Sequence, residues 1–479
     1  MTSFSSHRIM GFGAAFGLLL LTACNNPSDT ASTTTELVDE ETDALQGTPP
    51  ADLEHDEATG MVEAAAATGG SFLALSDVHL LPADTPCPGQ ACETSPSFWT
   101  ATQTQAQALV ASEQPDFIIY LGDMPTHASQ PASVRDGIFG DVLGGLANTA
   151  GSADIPVLYL PGNNDTLGVN AGFHGLNDYC PFTEDDRTVL NSASDPTRWP
   201  VLNGEADIID NRHLADGYYA ARIPIGASAS PLRVLALNTN VFTSAYLLCS
   251  DTAATAGSAQ LDWLATQLAG AATAGEPVLL ATHVPPGLDG YRGHDQPTPS
   301  TMWDATMLYQ GSDTSLHGRW MQDVMLEIIA RHTGDITGIV AGHTHLNGIR
   351  RLHACDTADT VTELLLSVPG ISADHGNNPA LKLIRLDATL EPVDVTTWVA
   401  NRGTDSPDWT SPTQYDFRTN YPNTTASGSS LLAQVDSLDE DDRVQAMLRY
   451  LYARETVGPP SGLTDPGFFR QAMDVTCGQ

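Results

Sequence analysis

A layered α/β architecture is expected of this chain, on three observations. Six near-continuous apolar runs follow residue 70, and each stops abruptly at polar residues. Such runs are what strands covered on both faces look like. Helical patterns fall between several of them, and alternating strands and helices build layers. In such folds ligands gather beyond the carboxyl ends of the strands, where the polar clusters of this chain sit.

The amino-terminal part precedes that body. His7 and Arg8 lead into an apolar run from Ile9 to Ala23, too short to span a bilayer comfortably as a permanent helix. The run closes on Leu21-Thr22-Ala23-Cys24, which resembles the lipobox of bacterial lipoproteins, so 1–24 reads as a lipoprotein signal peptide with Cys24 the lipidated residue. An ordinary cleaved signal peptide is the alternative. Asn25 after the cysteine points to an outer-leaflet or outer-membrane address, hence an exported bacterial lipoprotein of the cell envelope. Residues 25–70 carry eleven Asp and Glu and no Lys or Arg, and so read as an acidic disordered tether.

The runs are SFLALSDVH (71–79), FIIYLGDMP (117–125), PVLYLPGNND (156–165), LRVLALNTN (232–240), PVLLATHVPPG (277–287) and ITGIVAGHTH (336–345). Helices are predicted over 98–113, 131–148, 258–272 and 316–332, with Leu261, Leu264 and Leu268 sharing one face of the third. Runs 361–369 and 380–399 alternate more and read as antiparallel strands, closing a catalytic body over 71–400. Residues 401–430, rich in Asn, Thr, Ser, Gly and Pro, read as a linker. From 431 to 479 a small helical extension is expected, because 438–454 begins acidic and ends basic, as a helix dipole favours.

Composition narrows the function. The net charge is −38, with only 20 Lys and Arg, so the surface repels nucleic acid and anionic membranes. An anionic substrate would need a local positive centre, and a metal supplies one more readily than so few basic residues. Without Cys24 six cysteines remain, at 87, 92, 180, 249, 355 and 477, which in an exported chain suggests disulfides. Fifteen pairings exist, and proximity favours only Cys87 with Cys92.

The strand ends supply Asp77 and His79 from SDVH, Asp123 from LGD, Asn163 from PGNND, His283 from ATHVPP, and His343 and His345 from AGHTH. Two carboxylates, an amide oxygen and four imidazoles suit divalent zinc, with manganese or iron as alternatives. Seven ligands are too many for one ion and suit two, with one carboxylate bridging.

The series D-x-H, G-D, G-N-x-D, H, G-H-x-H resembles the calcineurin-like metallophosphoesterase superfamily, over about residues 71–350. That resemblance implies a two-sheet αββα sandwich with a binuclear centre at the strand ends. It puts Asp77, His79 and His345 on one metal, Asn163, His283 and His343 on the other, and Asp123 between them. GDMPTH (122–127), GYYAARI (217–223), ALNTN (236–240) and HVPPG (283–287) are similar to the acid sphingomyelinase-like phosphodiesterases. The saposin-type domain that precedes the catalytic part of acid sphingomyelinase has no counterpart in the polar segment 25–70, which favours the phosphodiesterase-like branch and weakens the case for sphingomyelin itself.

The resemblance also gives roles to two further residues. Most of the superfamily reads G-N-H-[DE], and here Asn164 replaces that histidine, as in some endopolyphosphatases. An amide donates a hydrogen bond but cannot protonate an alkoxide, so Asn164 is expected to be a neutral transition-state donor. His127, four residues after Asp123, is the expected acid for the leaving group. Asp165 is expected to orient the loop or to hydrogen-bond a ligand.

The expected reaction is phosphoester hydrolysis by a metal-bridging hydroxide, between two ions that offset charge on the phosphoryl oxygens. A phosphodiester, as a small molecule or lipid head group, is the first substrate class. A monoester or polyphosphate on the same site, and a non-catalytic surface lipoprotein that only binds, are the alternatives. The membrane is reached through Cys24, and the protein is expected to be a monomer. Tyr291, Arg292, His294, Trp303 and Tyr309 are expected to line a substrate pocket or else to pack their loop onto the body.

Overall fold

The computed structural model describes residues 69–85, 92–128, 130–151, 153–165, 200–202, 206–226, 228, 230–243, 253–288, 300–356, 360–402, 407–417, 430–437 and 473–478. Cys24, the signal peptide, all but the last two residues of the tether, Cys87, Cys180, Cys249, Tyr291, Arg292, His294 and the helix expected over 438–454 lie outside them.

In chain order the elements are β1 (Gly70–Leu75), α1 (Pro96–Glu113), β2 (Phe117–Tyr120), α2 (Ala132–Thr149), β3 (Val157–Tyr159), β4 (Val201–Leu202), β5 (Asp207–Asp210), β6 (Tyr219–Ile223) and β7 (Leu232–Ala236). They continue with α3 (Ala253–Ala274), β8 (Val278–Thr282), α4 (Met321–Arg331), β9 (Ile336–Ala341), β10 (Ile349–His353), β11 (Val361–Ser367), β12 (Ala380–Leu386), β13 (Pro392–Arg402), β14 (Pro407–Asp416), α5 (Leu431–Ser437) and β15 (Asp474–Val475). They form a seven-stranded sheet, β14-β13-β12-β1-β2-β3-β4, and an eight-stranded sheet, β15-β10-β11-β9-β8-β7-β6-β5.

Side-chain alternation along the strands separates the layers. Phe72 and Ala74 of β1, Ile119 of β2, Val234 of β7, Leu279 of β8 and Val340 of β9 share one apolar cluster between the sheets. Leu73 and Leu75 point the other way, onto Trp99 and Leu109 of α1 and Val142 and Leu146 of α2. Leu235 and Leu280 face outward from the second sheet onto Leu261, Leu264 and Leu268 of α3 and Val324 of α4. The order helices–sheet–sheet–helices is the αββα sandwich. Both sheets are mixed: β1, β2 and β3 run parallel, as do β7, β8, β9 and β11. The six sequence runs therefore end at the same edge of the sandwich.

Local chemistry sets the helix limits. Ser95 caps α1, its hydroxyl accepting from the Phe98 N–H at 3.2 Å, and Pro96 opens the first turn. The chain leaves α1 through Gln114 in the left-handed region, φ 51°.

Three expectations differ. The 380–399 run is two strands, because Asp387 turns the chain by accepting from the N–H groups of Thr389 (2.8 Å) and Glu391 (3.0 Å). Part of the 401–430 segment is no linker: β14 pairs antiparallel with β13 and extends the first sheet. Its polar residues suit the edge of a sheet, where one side faces water. The carboxyl-terminal part is not helical throughout, since β15 pairs parallel with β10 and is fastened by a Cys355–Cys477 disulfide. Cys92 is also disulfide-bonded. Among the described residues no helix is long and apolar enough to cross a membrane.

Candidate metal centre

The turn after each strand carries the chemistry, and its backbone is unusual. Asp77, His79, Asp123, His343 and His345 have φ of 52°, 44°, 67°, 68° and 55°, in the left-handed region. Such conformations cost energy and persist at functional sites where the surroundings enforce them. Here the loops lock into one another. The N–H of Asp77 donates to the Gly122 carbonyl at 2.9 Å, and that of His79 to the Asp123 carbonyl at 3.1 Å. Gly162 has to be glycine: a Cβ there would lie 2.1 Å from Asp123 Oδ1 and 2.3 Å from its backbone nitrogen.

All seven predicted ligands converge, in two groups. One ligand atom from each of Asp77, His79 and His345 lies within 4.8 Å of the others, and the same holds for Asp123, His283 and His343. Asn163 joins the second group, its Oδ1 lying 2.9 Å from His283 Nε2 and 2.8 Å from His343 Nδ1. Asp123 joins both groups, since its Oδ2 is 3.4 Å from His79 Nε2 and 3.4 Å from His283 Nε2. Six of the seven residues are buried and His343 is half-buried.

The donors present fit divalent cations. His79 Nδ1 faces the Pro125 carbonyl at 3.0 Å and His345 Nδ1 faces the Ser372 carbonyl at 3.3 Å, so each ring carries its proton there. Their Nε2 atoms then present lone pairs to one another at 3.2 Å. That approach is repulsive unless a cation lies against both. Holding Nδ1 on a carbonyl is also how ligating histidines are oriented.

Electrostatics agree. Burial first, and then His127, push the His79 imidazole down to about 3. Burial and then His283 push His343 down to about 3, and burial and then His375 hold His345 well below the usual range. These rings keep their lone pairs at any ordinary pH. His283 is the exception: burial opposes its charge, but Asp123 outweighs burial and raises it to about 9. Burial likewise opposes the charge on Asp123, yet His283 holds that carboxylate well below the ordinary range. The attraction between His283 and Asp123 is one that a cation held by both would replace.

The GNND turn is held by its own aspartate. Asp165 accepts from the N–H groups of Gly162 (2.7 Å), Asp123 (2.8 Å) and Met124 (2.7 Å), binding the two loops that deliver Asp123 and Asn163. Asn164 bonds Asp123 twice, backbone N–H to Oδ1 at 2.8 Å and side-chain Nδ2 to Oδ2 at 2.7 Å. It therefore shapes the shared carboxylate. From ALNTN, Asn240 donates to the Pro161 carbonyl at 3.2 Å and steadies the same turn.

His127 sits against the first group, its ring stacked on His79 at a centroid distance of 3.9 Å. Glu93 secures it, with Oε1 2.6 Å from the His127 backbone nitrogen and 2.8 Å from Nδ1 while Oε2 accepts from the Thr126 hydroxyl. Burial opposes a charge on His127, but Glu93, by its hydrogen bond and its charge, together with Asp123 and Asp374 outweighs burial and raises its pKa. Glu93, Asp374 and His375 were not legible as site residues. None ends an apolar run, though Glu93 lies one residue after Cys92.

Of the two readings open for the loop aromatics, pocket lining or packing onto the body, Trp303 and Tyr309 follow the second. Trp303 and Tyr309 are each 2% exposed. Trp303 stacks on Phe242 and donates to the Val284 carbonyl at 3.1 Å, while the Tyr309 hydroxyl donates to Asp262 on α3. They fix their loop onto the second sheet.

A family model described as calcineurin-like phosphoesterase matches residues 70–347. Human acid sphingomyelinase-like phosphodiesterase 3b is 24% identical over 436 residues, covering 84% of this chain and 86% of that protein. Among solved structures, a dimetal phosphatase from Danio rerio shares 14% identity with a TM-score of 0.43, covering 71% of this chain and 99% of that one. GAP50, the anchor in the inner membrane complex of Plasmodium, shares 10% identity with a TM-score of 0.37, covering 82% of this chain and 99% of that one. Since the family match begins where β1 begins and runs just past the last of the grouped histidines, the chain belongs to the calcineurin-like phosphoesterases and is a metal-dependent phosphoester hydrolase.

Proposed function

We propose that this hydrolase is a phosphodiesterase of the acid sphingomyelinase-like type, working with two divalent cations, zinc first. One observation carries the proposal: Asp123 Oδ2 lies 3.4 Å from an imidazole nitrogen of each group, the position of a carboxylate shared by two ions. Asp77, His79 and His345 would hold one cation, Asn163, His283 and His343 the other, with Asp123 common to both. When bound, such a pair supplies activated water and offsets charge on the phosphoryl oxygens.

The chain's own groups do the rest. Asp165 and Asn164 hold Asp123 in place, so the centre is set before substrate arrives. One N–H of the Asn164 amide is taken by Asp123, and the other is the hydrogen-bond donor proposed for a phosphoryl oxygen. His127, its Nδ1 held by Glu93, presents Nε2 to the leaving group and delivers its proton. The diester preference is supported by the human phosphodiesterase relative and by the motifs GDMPTH and HVPPG. The LTAC sequence supports export and lipidation at Cys24.

Parallel assays test the reading with bis(p-nitrophenyl) phosphate, p-nitrophenyl phosphate and polyphosphate on zinc-loaded protein, with Asp123→Asn as the control. Turnover of the diester, lost in the variant, is expected. Hydrolysis of the monoester or of polyphosphate alone overturns the diester assignment. Turnover of none of them, with ligand still bound, leaves the binding lipoprotein.

A further inference from the structure

The seven grouped residues do not exhaust the metal-binding chemistry at this edge. The loop after β11 runs back over the centre: Ser372 takes the His345 Nδ1 proton, and the next residues, Ala373, Asp374 and His375, bring two more donors alongside. One ligand atom from each of His127, Asp374 and His375 lies within 4.8 Å of the others. His127 Nδ1 is 3.7 Å from Asp374 Oδ2, and His375 stands edge-on to both His127 and His345, at centroid distances of 6.4 and 4.4 Å. Glu93 completes the surround at 2.8 Å from the same His127 nitrogen and forms its own group with His79 and His127.

Two imidazoles and a carboxylate, with a second carboxylate beside them, make a donor set that zinc accepts. The group differs from the centre in accessibility. The side chain of His127 is 25% exposed and that of Asp374 is 37% exposed, whereas His79, His283 and Asp123 are sealed. A cation can reach this group and leave it without opening the fold. It would also feel the positive charge of the paired centre close by, which weakens it relative to the first two.

We propose that His127, Asp374 and His375 form a third, weaker divalent-cation site that fills when zinc is in excess. It has a functional consequence that rests on the role given to His127 above. A cation on His127 Nδ1 displaces the Glu93 bond that holds the acid in place and favours its charge, so surplus zinc slows the enzyme that two equivalents activate.

The test uses the full chain loaded with two equivalents of zinc. Equilibrium dialysis against rising free zinc, with elemental analysis, should show a third equivalent taken up by the wild type. Asp374→Asn and His375→Gln should keep two equivalents and weaken the third by about tenfold or more. Saturation of the wild type at two equivalents, or an unchanged third in both variants, overturns the site. Inhibition is read separately, on a diester with a poor leaving group. If the third equivalent binds and turnover does not slow, the cation site stands and the acid role of His127 falls.

Discussion

Replacing Asp165 separates what holds the centre from what performs the chemistry. Its carboxylate takes three backbone N–H groups: Oδ2 accepts from Gly162 and Asp123, and Oδ1 accepts from Met124. It is 2% exposed, so water cannot take over. In Asp165→Asn the amide oxygen can keep the Gly162 and Asp123 pair, but its NH2 end then meets the Met124 N–H, donor against donor. One buried donor left unsatisfied costs about 1–3 kcal/mol. In Asp165→Ala all three are left unsatisfied, about 3–9 kcal/mol on the same scale, which rivals the whole stability of about 5–15 kcal/mol usual for a folded protein. The asparagine variant should therefore fold with a melting point lowered by several degrees, and the alanine variant should fail to accumulate. Thermal unfolding of metal-free protein reads the first cost, and zinc content after reloading reads whether Asp123 and Asn163 are still aligned. A metal-free melting point and a zinc content both equal to the wild type's in Asp165→Asn would refute the clamp.

Four further outcomes are expected. Asp123→Asn should lower zinc content and cut diester turnover by more than the ~10–100-fold that removing an outer-shell partner costs, measured on freshly loaded protein. His127→Ala should slow esters with poor leaving groups by about 10²–10⁴-fold and nitrophenyl esters far less, and equal losses would remove His127 from the acid role. Zinc must displace the His283 proton, held up to about 9 by Asp123 against burial, so affinity should rise with pH up to about 9 and fall by about tenfold for each unit below it. Calorimetric titration in buffers of different ionisation heat counts that proton. Glu363, raised to about 8 first by burial, is a neutral acid in the fold, so the stability it lends is complete below its unfolded value near 4.5 and is lost as pH rises to about 8. Denaturant unfolding of Glu363→Gln should accordingly show a gain over wild type at pH 8 that is absent at pH 4.

What the sequence disclosed, and what it withheld, follow from how far each signal travels along the chain. Asp77, Asp123, His283 and the GHTH pair each end an apolar strand, so a local pattern located them, and parallel pairing of those strands gathered them. The αββα layering likewise rested on the resemblance carried by those ends, and the two faces of β1, with Phe72 and Ala74 inward and Leu73 and Leu75 outward, realise it. Glu93, Asp374 and His375 reach the site from a loop before α1 and a loop after β11, and no periodicity marks such positions. β14 was hidden because an edge strand with one wet side carries little apolar signal, and β15 because two residues are too few for any pattern. For Trp303 and Tyr309 the sequence left pocket lining and loop packing both open, because aromatics in an irregular loop read alike whether they face a ligand or a neighbouring helix. Only the bonds to Val284 and Asp262 decide it.

The two donor groups straddle the seam of the sandwich. Asp77, His79, Asp123 and Asn163 come from the seven-stranded sheet, whereas His283, His343 and His345 come from the eight-stranded one. Each ion would thus be a rivet joining the two halves of the molecule. Zinc at about a hundred times its dissociation constant would add about 2.7 kcal/mol per ion to the cohesion of the halves. Chelation would then loosen the body as well as silence it, and metal supply in the surroundings would govern how long the protein survives heat.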